Sequence, residues 1–164
     1  MGEPIEQYNL HLLNRYKETI SDGEGIRYSL YLAGCAHGCP GCQNPASWDP
    51  MAGVLLTEAI LADIIKEILS NPLLDGITLS GGDPFFNPRG TLALLKRLKS
   101  ETGLNIWCYT GYTLEEIQAS PDLFPLLEYI DVLVDGRFVQ EEFDPTLPFR
   151  GSRNQRIIRL HKKD

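Results

Sequence analysis

The chain has 164 residues, of which 43% are hydrophobic and 23% charged, as is ordinary for a globular protein with a buried core. Its formal net charge of −7 argues against a nucleic-acid-binding surface, because phosphate backbones are recognised by basic patches. No apolar run approaches the roughly 20 residues that span a bilayer, and no secretory signal pattern opens the chain. We therefore expect a single domain over residues 1–164 in the cytoplasm, where thiols stay reduced.

Strands and helices are predicted to alternate along the first half of the chain. Residues 8–13 favour a short strand, and the apolar residues 28–34 favour a buried strand that runs into a glycine-rich loop. Apolar residues after the N-cap Thr57 recur at helical spacing and define the core-facing stripe Leu61, Ile64, Ile65, Ile68 and Leu69. This pattern predicts a helix over residues 57–70, followed by a buried strand over residues 76–80.

The same alternation continues in the second half. An N-cap at Asn87, with proline next, predicts a helix that ends at Gly103 and has Leu92, Leu95 and Leu98 on its core face. A strand over residues 106–109 precedes a third helix, opened by a capping box at residues 113–116. Strands are also predicted over residues 130–135 and 156–160.

This order of elements predicts an α/β fold with a mostly parallel sheet. The chain is shorter than the roughly 250 residues of a complete eight-unit barrel. An open, partial (βα) barrel is therefore the expected architecture.

The segment with the clearest chemistry is residues 35–42, which we call the cluster loop. Cys35, Cys39 and Cys42 lie in it at spacings of four and three, among glycine and proline residues that prevent a helix or a strand. We expect such a loop to turn its three sulfurs towards one point. Three thiolates suit a soft metal or an iron–sulfur cluster, and a four-iron cluster held by only three cysteines has one iron with an open coordination position.

Three other interpretations of these cysteines remain open at this stage. Cys39 and Cys42 form a Cys-x-x-Cys pair and can be a redox dithiol, although Cys35 then has no role. A zinc site needs a fourth ligand, for which His37 or Cys108 is available, but Cys108 lies in a predicted core strand. Extracellular disulfides are disfavoured because no signal peptide is apparent.

Two further segments lie where ligands bind in parallel sheets, at the carboxyl ends of predicted strands. Gly81 and Gly82 follow one strand and allow a ligand to approach bare backbone, while Asp83 adds a carboxylate that can receive an ammonium group. Asp135 ends another strand, where it can meet a ribose hydroxyl, meet a partner or be solvated. No arrangement of residues for acid–base or nucleophilic catalysis is visible.

The cysteine spacing resembles the signature of the radical S-adenosylmethionine superfamily. Together with other segments it resembles the family of activating proteins of anaerobic ribonucleoside-triphosphate reductase, over residues 8–160. The matching segments are residues 23–27, 34–35, 39–44, 79–84, 110–112, 131–136 and 149–155, together with Trp48. The Ser-Gly-Gly-Asp-Pro segment at 80–84 and the Arg-Gly-Ser segment at 150–152 distinguish this family within the superfamily.

The resemblance implies a radical S-adenosylmethionine fold and one [4Fe-4S] cluster bound by Cys35, Cys39 and Cys42. It also implies that S-adenosylmethionine binds the open iron and that residues 81–83 hold its amino group. Reductive cleavage of this cofactor yields a 5′-deoxyadenosyl radical that removes a hydrogen from a glycine of the reductase. The implied partners are that reductase and a low-potential electron donor such as flavodoxin or ferredoxin.

Some residues depart from the family pattern or have no defined role. Gly41 precedes the third cysteine where many superfamily members have an aromatic residue, and Gln43 follows it where this family often has tyrosine; both concern the adenine side of the cofactor site. Arg27 is expected to be a surface cation. Arg150 and Arg153, in a C-terminal tail over residues 150–164, suit a surface, substrate or partner role, and Trp48 suits the core or a shield over the cluster.

Overall fold

The computed structural model describes residues 3–42 and 45–161. Within these residues, seven strands form one sheet in the order β3-β1-β2-β4-β5-β6-β7. The strands are β1 (His11–Thr19), β2 (Arg27–Leu32), β3 (Val54–Leu55), β4 (Gly76–Gly81), β5 (Asn105–Tyr109), β6 (Val132–Asp135) and β7 (Arg156–Arg159). The helices are α1 (Glu58–Leu69), α2 (Pro88–Thr102) and α3 (Leu114–Gln118).

The centre of the sheet is parallel and both of its sides are antiparallel. Strands β2, β4, β5 and β6 run in the same direction, whereas β1 is antiparallel to β2 and β3, and β7 is antiparallel to β6. The predicted α/β fold is therefore confirmed, with a parallel sheet in its middle. The carboxyl ends of four adjacent strands consequently meet at one edge, which is where ligands bind in sheets of this kind.

The main core lies between one face of the sheet and the helices. Leu30, Leu79, Cys108 and Leu133, from the four parallel strands, are completely buried on this face. The prediction that Cys108 is a core residue is confirmed. No helix in the described part of the chain is long and apolar enough to cross a membrane.

Helix α1 begins and packs as predicted, except at its last residue. The Thr57 hydroxyl accepts a hydrogen bond from the Ile60 amide at 3.1 Å, and four of the five predicted core residues are buried. Leu69 is 62% exposed, so its assignment to the core is wrong. Leu69 is eight positions after Leu61, which corresponds to two full turns of an α-helix plus about 80°. This extra rotation carries Leu69 out of the buried stripe.

Helix α2 also follows its local signals. The Asn87 side chain accepts a hydrogen bond from the Gly90 amide at 3.0 Å, and Gly103 ends the helix with a φ of 66°. Leu95 and Leu98 are fully buried as predicted, whereas Leu92 is only partly buried.

The predictions at the sides of the sheet were less accurate. A 3-10 turn covers Ile5–Tyr8, and strand β1 starts at His11 and continues six residues past the predicted end at residue 13. Strand β3 is only two residues long and was not predicted. Both depend on pairing: β1 is extended by its partner β2, and β3 exists because it pairs with the start of β1.

Candidate active site

Four segments that carry candidate functional residues follow the four parallel strands at the same edge of the sheet. The cluster loop follows β2, residues 81–83 end and follow β4, residues 110–112 follow β5, and Asp135 is the last residue of β6. Parallel pairing thus brings together segments that are up to 100 positions apart in the sequence.

The cluster loop holds three thiols at the mouth of the site. Cys35, Cys39 and Cys42 are all partly buried, and none of the four cysteines of the chain forms a disulfide. Burial raises the pKa of the Cys35 thiol, and the hydrogen bond from the His37 backbone amide opposes that rise. The Cys42 amide bonds to the Cys39 carbonyl at 3.1 Å, which closes a tight turn at the end of the loop.

The thiols are not arranged as the ligands of a single ion. Among the described residues, no three His, Cys, Asp or Glu side chains converge closely enough to hold one metal ion. The shared role of the three sulfurs in binding one cluster stays a prediction.

Neither residue considered as a fourth zinc ligand is available to the loop. Cys108 is completely buried in the core, and burial raises the pKa of its thiol well above the usual value. The ring of His37 is only 6% exposed, and both of its nitrogens contact other side chains.

Residues 81–83 form the turn on which the base of the cluster loop is supported. The Gly82 amide donates to the Leu32 carbonyl, and the Asp83 amide donates to the Gly34 carbonyl, both at 2.7 Å. A Cβ atom on Gly82 would collide with the Gly34 carbonyl oxygen, and one on Gly81, whose φ is 110°, would collide with that of Leu32. The two glycines are therefore required by the close approach of two backbone segments.

Asp83 is 2% exposed, and protein donors surround its carboxylate. Oδ1 accepts a hydrogen bond from the Phe85 amide at 2.9 Å. Oδ2 lies 3.0 Å from the Thr110 hydroxyl, 2.9 Å from the Gly111 amide and 2.5 Å from His37 Nε2. Asp83 therefore joins the end of β4 to the end of β5 and to the cluster loop.

Asp135 is completely buried and paired, so the solvated alternative is wrong. Its Oδ1 accepts from Arg156 Nε at 3.0 Å, and its Oδ2 accepts from Arg156 Nη2 at 2.6 Å and from the Leu114 amide at 2.7 Å. These bonds tie β6 to β7 and to the start of α3. A contact between Asp135 and a ribose stays a prediction.

A cleft of about 680 Å³ lies over the sheet face opposite the helices. Its walls include Tyr31, Cys42, Gly81, Tyr109, Phe149 and Arg150. The structure thus brings one predicted cluster ligand and one predicted cofactor-binding glycine to the same cavity. The Tyr109 hydroxyl donates to the Phe149 carbonyl at 2.6 Å, which holds the segment over residues 143–151 across the cleft.

The remaining predicted residues lie at the rim or away from the cleft. Gly41 is exposed, has a φ of 75° and lies against the Gln140 side chain. Gln43 and residues 162–164 lie outside the described residues. Trp48 is 36% exposed, and its carbonyl accepts the Cys35 amide at 3.3 Å.

The arginines fall into three different environments. Arg27 is 2% exposed, so the prediction of a surface cation is wrong. Arg150 lines the cleft, and its buried Nε has no hydrogen-bond partner among the described residues. Arg153 is exposed.

Residues missed by the sequence analysis complete the site. Tyr31 and Phe138 line the cleft, and Arg137 Nε donates to His37 Nδ1. The only local signal for them is the alternation of polar and apolar residues in the strands, which marks Tyr31 as facing away from the helices.

The fold and the site define a class of protein. Residues 21–158 match the protein family described as a 4Fe-4S single cluster domain. This match covers the cluster loop, residues 81–83 and the cleft.

Relatives identify the family more closely. The anaerobic ribonucleoside-triphosphate reductase-activating protein of Pasteurella multocida is 41% identical over 156 residues, which cover 92% of this chain and 98% of the relative. Proteins of the same name from Escherichia coli K12 and Enterobacteria phage T4 are 40% and 35% identical, covering 88% and 83% of this chain and 96% and 85% of the relatives. The chain belongs to the family of anaerobic ribonucleoside-triphosphate reductase-activating proteins.

Proposed function

We propose that this protein is a radical S-adenosylmethionine activase that generates the glycyl radical of an anaerobic ribonucleoside-triphosphate reductase. The observation that carries the proposal is the three-thiol loop at the carboxyl edge of a parallel sheet, in a chain that belongs to this family. The partial radical S-adenosylmethionine barrel is part of the proposal. It is supported by four parallel strands and by a cleft on the face opposite the helices.

Cys35, Cys39 and Cys42 are the proposed ligands of one [4Fe-4S] cluster. When bound there, such a cluster would supply the electron for reductive cleavage of S-adenosylmethionine, the source of the radical that would remove the glycine hydrogen. The chain itself provides three thiols on a loop whose base is hydrogen-bonded to the sheet. Sulfur donors are suited to iron in such clusters.

The cleft is the proposed place for S-adenosylmethionine, with residues 81–83 beside its methionine end. Gly81 lines the cleft, and Asp83 fixes the turn by accepting hydrogen bonds from the amides of Phe85 and Gly111. Gly41 and Gln43 are proposed to lie on the adenine side, and Asp135 near the ribose. The rings of Tyr109 and Phe149 supply apolar surface to the walls of the cleft.

The proposed protein substrate is the reductase named for the relatives, and the proposed reductant is flavodoxin or ferredoxin. The cleft lies open at the surface, so a peptide segment of another protein can approach it. No side chain of this chain is required to act as an acid or a base, because the proposed chemistry transfers an electron and a hydrogen atom.

The proposal is tested by anaerobic reconstitution with iron and sulfide, followed by reduction in the presence of S-adenosylmethionine. The wild-type protein should hold about four irons and release 5′-deoxyadenosine. The C35A variant should lose nearly all of this activity, whereas the matched control C108A should retain its cluster because Cys108 lies in the core.

The same measurements separate the remaining candidate functions. Zinc with no iron, or a fully loaded protein that yields no 5′-deoxyadenosine, would overturn the activase proposal. Dithiol reductase activity that persists in C35A would favour the redox dithiol. Incubation with the reductase and with another glycyl-radical enzyme, followed by electron paramagnetic resonance, identifies the partner, and a radical on the latter alone would contradict the proposed substrate.

A further inference from the structure

His37 is a buried ring in an otherwise accessible loop. Its side chain is 6% exposed, whereas Ala36 and Gly38 on either side are exposed. The proposed ligands Cys35 and Cys39 flank it by two positions each. Ligation by the three thiols alone does not explain why the His37 ring is buried.

Both nitrogens of the ring have defined partners. Arg137 Nε donates to His37 Nδ1 at 3.1 Å. Because a guanidinium can only donate, Nδ1 is an acceptor and the ring hydrogen is on Nε2. That Nε2 lies 2.5 Å from Asp83 Oδ2, so it donates to a carboxylate that is itself buried.

The ring occupies a fitted socket made by three strand ends. A Cβ atom on Gly111 would lie 2.5 Å from His37 Cδ2, so only glycine leaves room for the ring. Tyr112 packs against the ring edge to face, with a centroid distance of 4.7 Å. Asp83 follows β4, Gly111 and Tyr112 follow β5, and Arg137 follows β6, so the ring contacts the ends of the three strands that run parallel to β2.

We propose that His37 is a positioning residue that anchors the cluster loop to the sheet through Asp83, in advance of cluster assembly. The loop is attached at its base by backbone hydrogen bonds to residues 47 and 48, and His37 supplies a second attachment between the first two thiols. Holding a ligand loop in place before binding reduces the entropy lost when the cluster forms. This inference rests on the proposed role of the three cysteines.

The first test uses metal-free protein and does not depend on activity. In H37A, amide hydrogen exchange of residues 35–42 should be about fivefold faster or more, because two hydrogen bonds and a buried ring are lost. The matched control is H161A, since His161 is exposed and contacts only the Leu127 carbonyl among the partners described. Equal exchange in H37A and the parent would overturn the proposal.

Two amide variants separate the contact with Asp83 from the contact with Arg137. In H37Q the side-chain amide reaches Asp83 from a position similar to Nε2, whereas in H37N the side-chain oxygen replaces Nδ1 as the acceptor from Arg137. Iron loss to a chelator should be about tenfold faster in H37A, as is common when a group that orients a metal ligand is removed. H37Q should restore most of the retention and H37N little; the reverse order would overturn anchoring through Asp83.

A third variant acts on the socket and leaves His37 in place. In G111A the added methyl group occupies the position of the ring, so the fast exchange of residues 35–42 should reappear. Normal exchange in G111A would contradict the socket. The electron paramagnetic resonance spectrum of the reduced cluster should broaden in H37A.

Failure of the two proposals can be distinguished. A parent protein that takes up no iron overturns the proposed function, and the exchange measurement on metal-free protein still tests the anchor. The anchor alone is overturned if the parent protein binds and uses its cluster and H37A matches it in both amide hydrogen exchange and iron retention.

Discussion

Arg27 is a charged side chain enclosed by the sheet, and it is held by oxygen acceptors that carry no formal charge. Its guanidinium donates to Thr78 Oγ1 and to the carbonyls of Glu24, Ile77 and Asn105, at distances between 2.8 and 3.2 Å. Burial lowers the pKa of Arg27 to about 10, and the negative charge of the more distant Asp75 opposes the shift. The Trp107 ring lies 5.4 Å from the guanidinium carbon.

The R27M variant should therefore be strongly destabilised. Methionine fills much of the space but leaves several buried acceptors without a donor, which should lower the free energy of unfolding by about 3 kcal/mol. Denaturant titration of metal-free protein measures this change. The control R159M removes an exposed arginine paired with Glu24 and should change stability by less than about 0.5 kcal/mol. Equal effects in the two variants would show that Arg27 is not structural.

At the residue scale, the sequence drew attention to the candidate ligands and turn glycines but not to the side chains around them. The three thiols and the two glycines at 81 and 82 stand out because their spacing and residue types are locally unusual. Arg27 was misjudged because a cation before a strand is usually solvated, and its acceptors come from β4 and β5. The pair His37 and Arg137 was missed because 100 positions separate its members, and only strand pairing brings them together.

The helices show how local chemistry determines an element. In α3, the Thr113 hydroxyl accepts from the Glu116 amide at 3.1 Å, and the Glu116 carboxylate accepts from the Thr113 amide at 2.9 Å, so the predicted capping box is confirmed. These bonds involve residues three apart and need no tertiary partner. Strands β1 and β3 contrast with this case, because their bounds depend on pairing that a local pattern does not encode.

The T113A variant tests how much α3 depends on its cap. Loss of the cap should lower the free energy of unfolding by about 1 kcal/mol, because α3 has only five residues and few other bonds at its start. A thermal melt should show a decrease of about 3 °C for a chain of this size. The control S100A lies on the exposed side of α2 and should leave the melting temperature nearly unchanged. An unchanged melt for T113A would mean that packing alone holds α3.

At the scale of the whole molecule, the sheet separates structure from chemistry. Its helix-covered face carries the main core, and its opposite face, together with residues 138–151, encloses the cleft. Phe149 in this outer wall has a φ of 63°, which is unfavourable for a bulky side chain, and its ring packs edge to face on Trp107 at 5.4 Å. The contact between the rings of Phe149 and Trp107 therefore helps to hold this wall against the sheet.

The hydrogen bond from Tyr109 to the Phe149 carbonyl is the contact that is simplest to remove. In Y109F, hydrogen exchange over residues 143–151 should be about fivefold faster, because one hydrogen bond contributes about 1 kcal/mol to closure of the wall. The matched control is Y31F, since the Tyr31 hydroxyl lines the same cleft but donates to Asp22 at 2.7 Å. Exchange over residues 143–151 should be unchanged in Y31F. Equal exchange in both variants would mean that ring packing on Trp107, and not the hydroxyl, keeps the wall against the sheet.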